Sequence, residues 1–109
     1  MRGLTLCSLV ALAALLGAHR GQTPATGRDV YRTRCAMCHG PEGRGDGPAG
    51  AALTPRATNL TVGADLTAVS DSVVRAIVTS GRRGMPAFGR MLTRAQTDSV
   101  VAYLRTLRH

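Results

Sequence analysis

An all-α domain, three main helices joined by glycine- and proline-rich loops, is the architecture this sequence predicts, and three stretches carry the prediction. The clearest is the last. Thr93 and Gln96 make a capping box, and Val100, Val101, Leu104 and Leu107 follow at helical spacing. Upstream, Ser70 and Asp71 open a second helix, DSVVRAIVTS, which Gly81 ends. Its Val73, Val74, Ile77 and Val78 are expected on one core-facing side. The third stretch is CAMCHG, Cys35 to Gly40: two cysteines two residues apart, with a histidine directly after.

That last pattern is the one that attaches haem covalently. The thiols of Cys35 and Cys38 add across the two vinyl groups to give two thioether links, and His39 then lies beneath the iron as its proximal ligand. Rival readings need surroundings the chain does not offer. A thioredoxin-like CxxC belongs in a βαβ setting, which the flanking sequence lacks. A zinc site needs further ligands, and no other Cys or His lies near. There is no second CxxCH, so one haem is expected.

The 109 residues make one small domain. Residues 1–22 stand apart from it as signal peptide and leader. Arg2 supplies a positive start, Leu4 to Leu16 is an uncharged apolar run, and Gly17-Ala18 precede the polar stretch His19-Arg20-Gly21-Gln22. This is the pattern of a secretory signal, with cleavage after Ala18. The run is short for a membrane span, which disfavours an uncleaved anchor. Cys7 lies inside it and leaves with it. The domain then occupies residues 23–109 of an exported protein, most simply in a bacterial periplasm.

With only Tyr31, Phe88 and Tyr103 as aromatics and no Trp, a domain of about ninety residues buries too little surface to be comfortably stable alone. A covalently held haem supplies the missing apolar core. All 14 basic residues are Arg, against 6 acids, for a formal charge of +8. Loss of Arg2 with the signal leaves 13 against 6, or +7, and two haem propionates lower that to about +5. Such an excess suits an acidic partner surface or an anionic membrane. It does not suit nucleic acid, because no basic run is interleaved with aromatics.

Along the domain, Thr23 to Gly27 is a polar leader that reads as disordered. Thr26 caps a helix running from Gly27 through Cys35, with Asp29 favouring its positive end. Gly27 and Tyr31, four apart, share a face. GPEGRGDGPAG, Gly40 to Gly50, is a loop by composition. It contains Gly45-x-Gly47-x-x-Gly50, nominally a dinucleotide fingerprint, but no strand precedes it and Pro48 sits where the helix should start. Ala51 to Ala64 has no sustained period. Met85-Pro86 then lies in a glycine-rich loop between two helices, whereas Met37 and Met91 have no such setting.

GRDVYRTRC, CAMCHG, GMPAF and LTRAQTDSVVAYLRTL together resemble the class I (monohaem) cytochromes c, over about Gly27 to Leu107. The resemblance implies a cytochrome c-like fold wrapped around the haem, with Gly27 and Tyr31 meeting Tyr103 and Leu104 where the first and last helices cross. It implies that Pro48 packs on the haem and that its carbonyl accepts a hydrogen bond from His39. Arg56 and Asn59 would meet a propionate, and Leu53 and Leu60 would face the haem. Met85 would ligate the iron opposite His39, stiffened by Pro86, and His/Met ligation raises the reduction potential. The implied function is single-electron transfer with no catalytic residues, since two protein ligands leave no open position for substrate. Redox proteins with acidic docking surfaces are the implied partners, met by Arg82 and Arg83 beside the distal loop. Two alternatives stand beside it: a haem subunit of a larger oxidase or dehydrogenase complex, or a small haem enzyme if Met85 does not ligate the iron.

Overall fold

The computed structural model describes residues 25–62, 66 and 68–107; the expected signal peptide and leader, residues 1–22, lie outside them. The elements are α1 (Gly27–Arg34), α2 (Ala36–His39), a 3₁₀ turn (Gly50–Ala52), α3 (Asp71–Ser80) and α4 (Arg94–Thr106). The fold is all-α, and among the described residues the one β-type pairing is an isolated bridge between Arg82 and Met85.

The three longer helices begin as the sequence predicts. The hydroxyls of Thr26, Ser70 and Thr93 accept from the backbone N–H of Asp29, Val73 and Gln96. At Thr26 and Thr93 the third residue reaches back to the cap, so two otherwise orphaned donors are satisfied at each start. The first helix ends one residue sooner than expected. Cys35 closes α1 through its N–H on the Tyr31 carbonyl and at the same time opens α2.

α1 and α4 cross at Gly27. A Cβ built there would lie 2.6 Å from the Ser99 carbonyl carbon and 3.1 Å from Tyr103 Cβ, so only glycine lets the two backbones come this close. The crossing brings the Tyr31 and Tyr103 rings to 5.4 Å between centroids, tilted by 52°. Around it the core collects Val30, Tyr31, Leu60, Leu66, Val74, Val100, Val101, Leu104 and Leu107. Each fully buried aliphatic side chain there contributes about 1.5–3 kcal/mol. Tyr31 is wholly buried, and its hydroxyl donates to the Gly40 carbonyl at 2.6 Å.

α3 lies antiparallel to α4, held by Val74 and by two ion pairs. Arg75 Nε meets Asp98 at 2.6 Å, and the Arg105 guanidinium meets Asp71 at 2.8 Å. Arg105 also donates to the carbonyls of Leu66 and Val69, tying the irregular segment before α3 to the end of α4. The expected four-residue apolar face of α3 is split. Val74 and Val78 are buried, Ile77 is half-buried and Val73 is 45% exposed. The covered stripe is narrow because Asp71 and Arg75, one turn apart, take up the adjoining face with their bridges to α4. A second apolar strip, Val73 and Ile77 one turn apart, is only partly covered.

Two outcomes follow from this packing. Gly27→Ala costs about 1–3 kcal/mol by overpacking, a fall in Tm on the order of 10 °C for a domain this small. Ser99→Ala, which leaves the contacting carbonyl in place, stays within about 0.5 kcal/mol; thermal melts followed by circular dichroism compare the two. The second outcome concerns Tyr31, whose phenol burial pushes well above its ordinary pKa. In the unfolded chain it ionises near pH 10, while the folded chain holds the proton, so the unfolded state binds fewer protons and stability falls as pH rises above about 10. Tyr31→Phe removes that alkaline slope, as denaturant midpoints between pH 8 and 11 would record.

Candidate haem site

α2 is a single turn and cannot stand on its own. The loop that follows holds it. Gly45 N–H donates to the His39 carbonyl at 2.8 Å, Gly47 N–H to Cys38 at 3.2 Å and Ala49 N–H to Met37 at 3.0 Å. The loop therefore folds back over the end of α2 and satisfies its last carbonyls one after another. The spaced glycines make this possible. A Cβ on Gly47 would lie 2.6 Å from the Ala36 carbonyl oxygen, and one on Gly50 would lie 2.9 Å from the Cys38 carbonyl carbon. Within Gly45-x-Gly47-x-x-Gly50, Gly47 and Gly50 thus serve the close approach of the loop backbone to α2.

Cys35 and Cys38 are both half-buried and not joined to each other. Burial, then the neighbouring Cys38, pushes the Cys35 thiol up to about 11, so it stays protonated at neutral pH. His39 Nδ1 lies 2.9 Å from the Thr58 carbonyl oxygen. A carbonyl only accepts, so Nδ1 carries the proton in this bond and the neutral ring keeps its lone pair on Nε2. Anchoring one ring nitrogen this way orients the other as a ligand.

The expected partner for this bond, Pro48, does not make it. Ala49 N–H points at the Met37 carbonyl, and in a planar trans peptide the Pro48 carbonyl must point the opposite way, out from α2. Pro48 itself is exposed. Thr58 was not foreseen as a site residue, and no side-chain type signals it, because the contact is made by its backbone.

Of the remaining expected residues, Arg56 is exposed and Leu53 is half-buried. Leu60 joins the helix core with Tyr31 and Leu107. Asn59 is half-buried, and its Oδ1 accepts from Thr61 N–H at 2.9 Å and Thr61 Oγ1 at 2.8 Å. Only its amide nitrogen is left to face a propionate.

Met85 is presented by a tight turn. Arg82 N–H donates to the Met85 carbonyl at 3.1 Å, and Met85 N–H donates to the Arg82 carbonyl at 2.9 Å. Between them Arg83 has φ 42° and Gly84 φ 85°, the two positive values of a type I′ turn. Gly81 packs its backbone against residues 85–87, and Phe88 and Gly89 donate to the Val78 and Thr79 carbonyls at the end of α3. Met85 is half-buried, whereas Met37 is 63% and Met91 47% exposed.

These residues fit a covalently held haem on their donor chemistry. They offer two unpaired thiols on one turn, an imidazole with its distal nitrogen available, a thioether on a pinned loop and a partly exposed apolar strip on α3. Among the described residues no group of three His, Cys, Asp or Glu is placed to hold a metal ion.

An all-α fold assembled around a CxxCH turn defines a c-type cytochrome domain. The chain belongs to the family described as cytochrome C oxidase, cbb3-type, subunit III, which it matches over residues 22–104; membership in a c-type cytochrome family implies haem c. It is 34% identical over 97 residues to the Cbb3-type cytochrome c oxidase subunit FixP of Azorhizobium caulinodans, covering 86% of this chain and 31% of FixP. It is 36% identical over 83 residues to cytochrome c6 of Rippkaea orientalis, covering 73% of this chain and 67% of the cytochrome. The chain thus spans about a third of FixP. Among solved structures, it superposes with TM-score 0.66 and 29% identity on a chain of the Kuenenia stuttgartiensis reducing HAO-like protein complex Kustc0457/Kustc0458, covering 75% of this chain and 41% of that one. The KustC0563 c-type cytochrome shares the fold, with TM-score 0.65 at 21% identity, covering 77% of this chain and 99% of its own.

The loop glycines differ sharply in what they tolerate. Gly47→Val drives a branched side chain into the Ala36 and Met37 backbone and costs about 3 kcal/mol. Gly84, with open space around it, accepts Asn within about 1 kcal/mol because Asn tolerates the left-handed region. Urea midpoints of the purified holoproteins separate the two.

Proposed function

We propose that this chain is an exported monohaem electron carrier whose iron is held between His39 and Met85. The carrying observation is the His39 ring, fixed by Thr58 on the same turn that carries both cysteine thiols. When bound, the haem supplies a one-electron ferric–ferrous couple. Cys35 and Cys38 would hold it covalently, and His39 through Nε2 and Met85 through its sulfur would ligate its iron; a thioether ligand favours the reduced state and raises the potential. Arg56 and the Asn59 amide nitrogen would meet propionates. No residue is assigned a catalytic role, and the Arg82–Arg83 tip beside Met85 presents positive charge to an acidic redox partner.

FixP, named as an oxidase subunit and about three times the length matched here, favours a second reading. In it the domain works as the haem module of a larger complex rather than as a free carrier. Native purification decides between them: a free carrier elutes alone at low salt, and a subunit elutes with its complex.

Met85→Ala tests the ligand assignment. In the purified holoprotein it removes the weak sulfur-to-iron absorption band, lets cyanide or imidazole bind readily and lowers the reduction potential. Met37→Ala and Met91→Ala leave the band in place. If Met91→Ala removes the band and Met85→Ala does not, the assignment is wrong; if neither does, the small-enzyme reading moves ahead. Haem staining after denaturing electrophoresis, lost only when both Cys35 and Cys38 become Ala, tests the covalent link. Mass spectrometry tests export, with an N-terminus expected between about residue 19 and residue 24.

A further inference from the structure

We infer that Asn59 is a positioning residue for the proximal ligand, acting through the Thr58 carbonyl. The inference rests on the haem reading above and deepens it. Thr58 and Asn59 share one peptide unit, so whatever fixes Asn59 also fixes the direction of the Thr58 carbonyl. Asn59 is fixed from its own side chain. Oδ1 accepts from the N–H of Thr61, two residues on, and from the Thr61 hydroxyl, at 2.9 and 2.8 Å. This is an Asx turn with a second bond added. Thr61 is buried at 9% exposure, and its hydroxyl donates to Asn59, so loss of Oδ1 strands two donors in a place with little water.

The next residue is clamped as well. Leu60 N–H donates to the Gly43 carbonyl at 2.6 Å, and its side chain enters the core cluster. On the other side Gly45 approaches so closely that a Cβ there would lie 2.5 Å from the Ala57 carbonyl oxygen and 3.3 Å from both Thr58 C and Asn59 N. Gly45 is also the residue whose N–H holds the His39 carbonyl. The contacts close a ring: His39 ring to Thr58 carbonyl, that peptide against Gly45, and Gly45 back to the His39 backbone. Asn59 is the side chain that holds this ring shut.

The consequence is electronic as well as mechanical. An Nδ1–H bond to a fixed carbonyl shifts electron density toward Nε2 and strengthens the ring as a ligand, which favours ferric iron. Asn59→Ala loosens that bond and so raises the reduction potential.

The test uses the full-length holoprotein. Asn59→Ala is expected to favour the ferrous form by about fivefold, ~41 mV at 59 mV per decade. Exchange of the His39 Nδ1 proton, followed by NMR, is expected to quicken about tenfold while the amides of Val100 and Val101 keep their protection. Asn59→Ser, whose hydroxyl can accept from the same N–H, is expected to recover most of both effects, and Thr61→Val to produce a smaller shift in the same direction. If Asn59→Ala yields no holoprotein, Thr61→Val must still move potential and ring-proton exchange together. An unmoved potential overturns the inference, as does loosening of the Val100 and Val101 amides in step with the ring proton. Wild-type protein that fails to stain for covalent haem overturns the haem reading and this inference with it, whereas stained wild type with inert variants overturns the inference alone.

Discussion

The backbone contact between Gly27 and Ser99 is the constraint from which the rest of the molecule takes its positions. Because α1 lies directly on α4 there, Tyr31 one turn later sits fully inside the core. Its hydroxyl reaches the Gly40 carbonyl, immediately after His39. Gly43 N–H donates to the same carbonyl at 3.2 Å, so the Tyr31 bond adds about 0.5–1.5 kcal/mol and tethers the haem-attachment turn to the helix crossing. Helix packing and ligand geometry are joined through one side chain.

The attachment turn is gripped from three directions. Tyr31 holds the residue after it, the glycine loop caps its carbonyls, and Thr58 anchors the His39 ring. None of these grips needs a large hydrophobic contact. That economy suits a domain whose helix core is a modest cluster of mostly Val and Leu and which depends on its prosthetic group for further apolar contact.

How much of this was legible in the sequence depended on which atoms make each contact. The helix starts were legible because caps use particular side chains at fixed spacing, as at Thr26, Ser70 and Thr93. Gly27 was legible because only the absence of a side chain permits the crossing. CAMCHG was legible because the attachment chemistry needs those atoms in that order. The partner of His39 was not, because any residue has a carbonyl and its direction is decided by the neighbouring peptide. Pro48 was the wrong choice for that reason: the loop hydrogen bond of Ala49 turns its carbonyl away. The split face of α3 was hidden for a related cause. Val73 and Val74 have the same composition, and only the placement of the Arg–Asp bridges decides which of them faces α4.

Those bridges also set the order in which the molecule can come apart. α1, α4 and the His39 turn share the main core, but Val78 and Phe88, which carry the Met85 loop, are buried outside that cluster. α3 is fastened across to α4 by Val74, its one side chain in that cluster, and by Arg75–Asp98 and Asp71–Arg105, whose aspartates are open to solvent. Ions screen such pairs while leaving buried apolar contacts intact. Residues 71–90 therefore form the loosely moored half of the domain, a unit of low local stability in the sense of partial unfolding. Salt or mild denaturant lifts that half first. The molecule opens from the Met85 side like a book with one glued cover, and the His39 side stays shut until the helix crossing itself gives way.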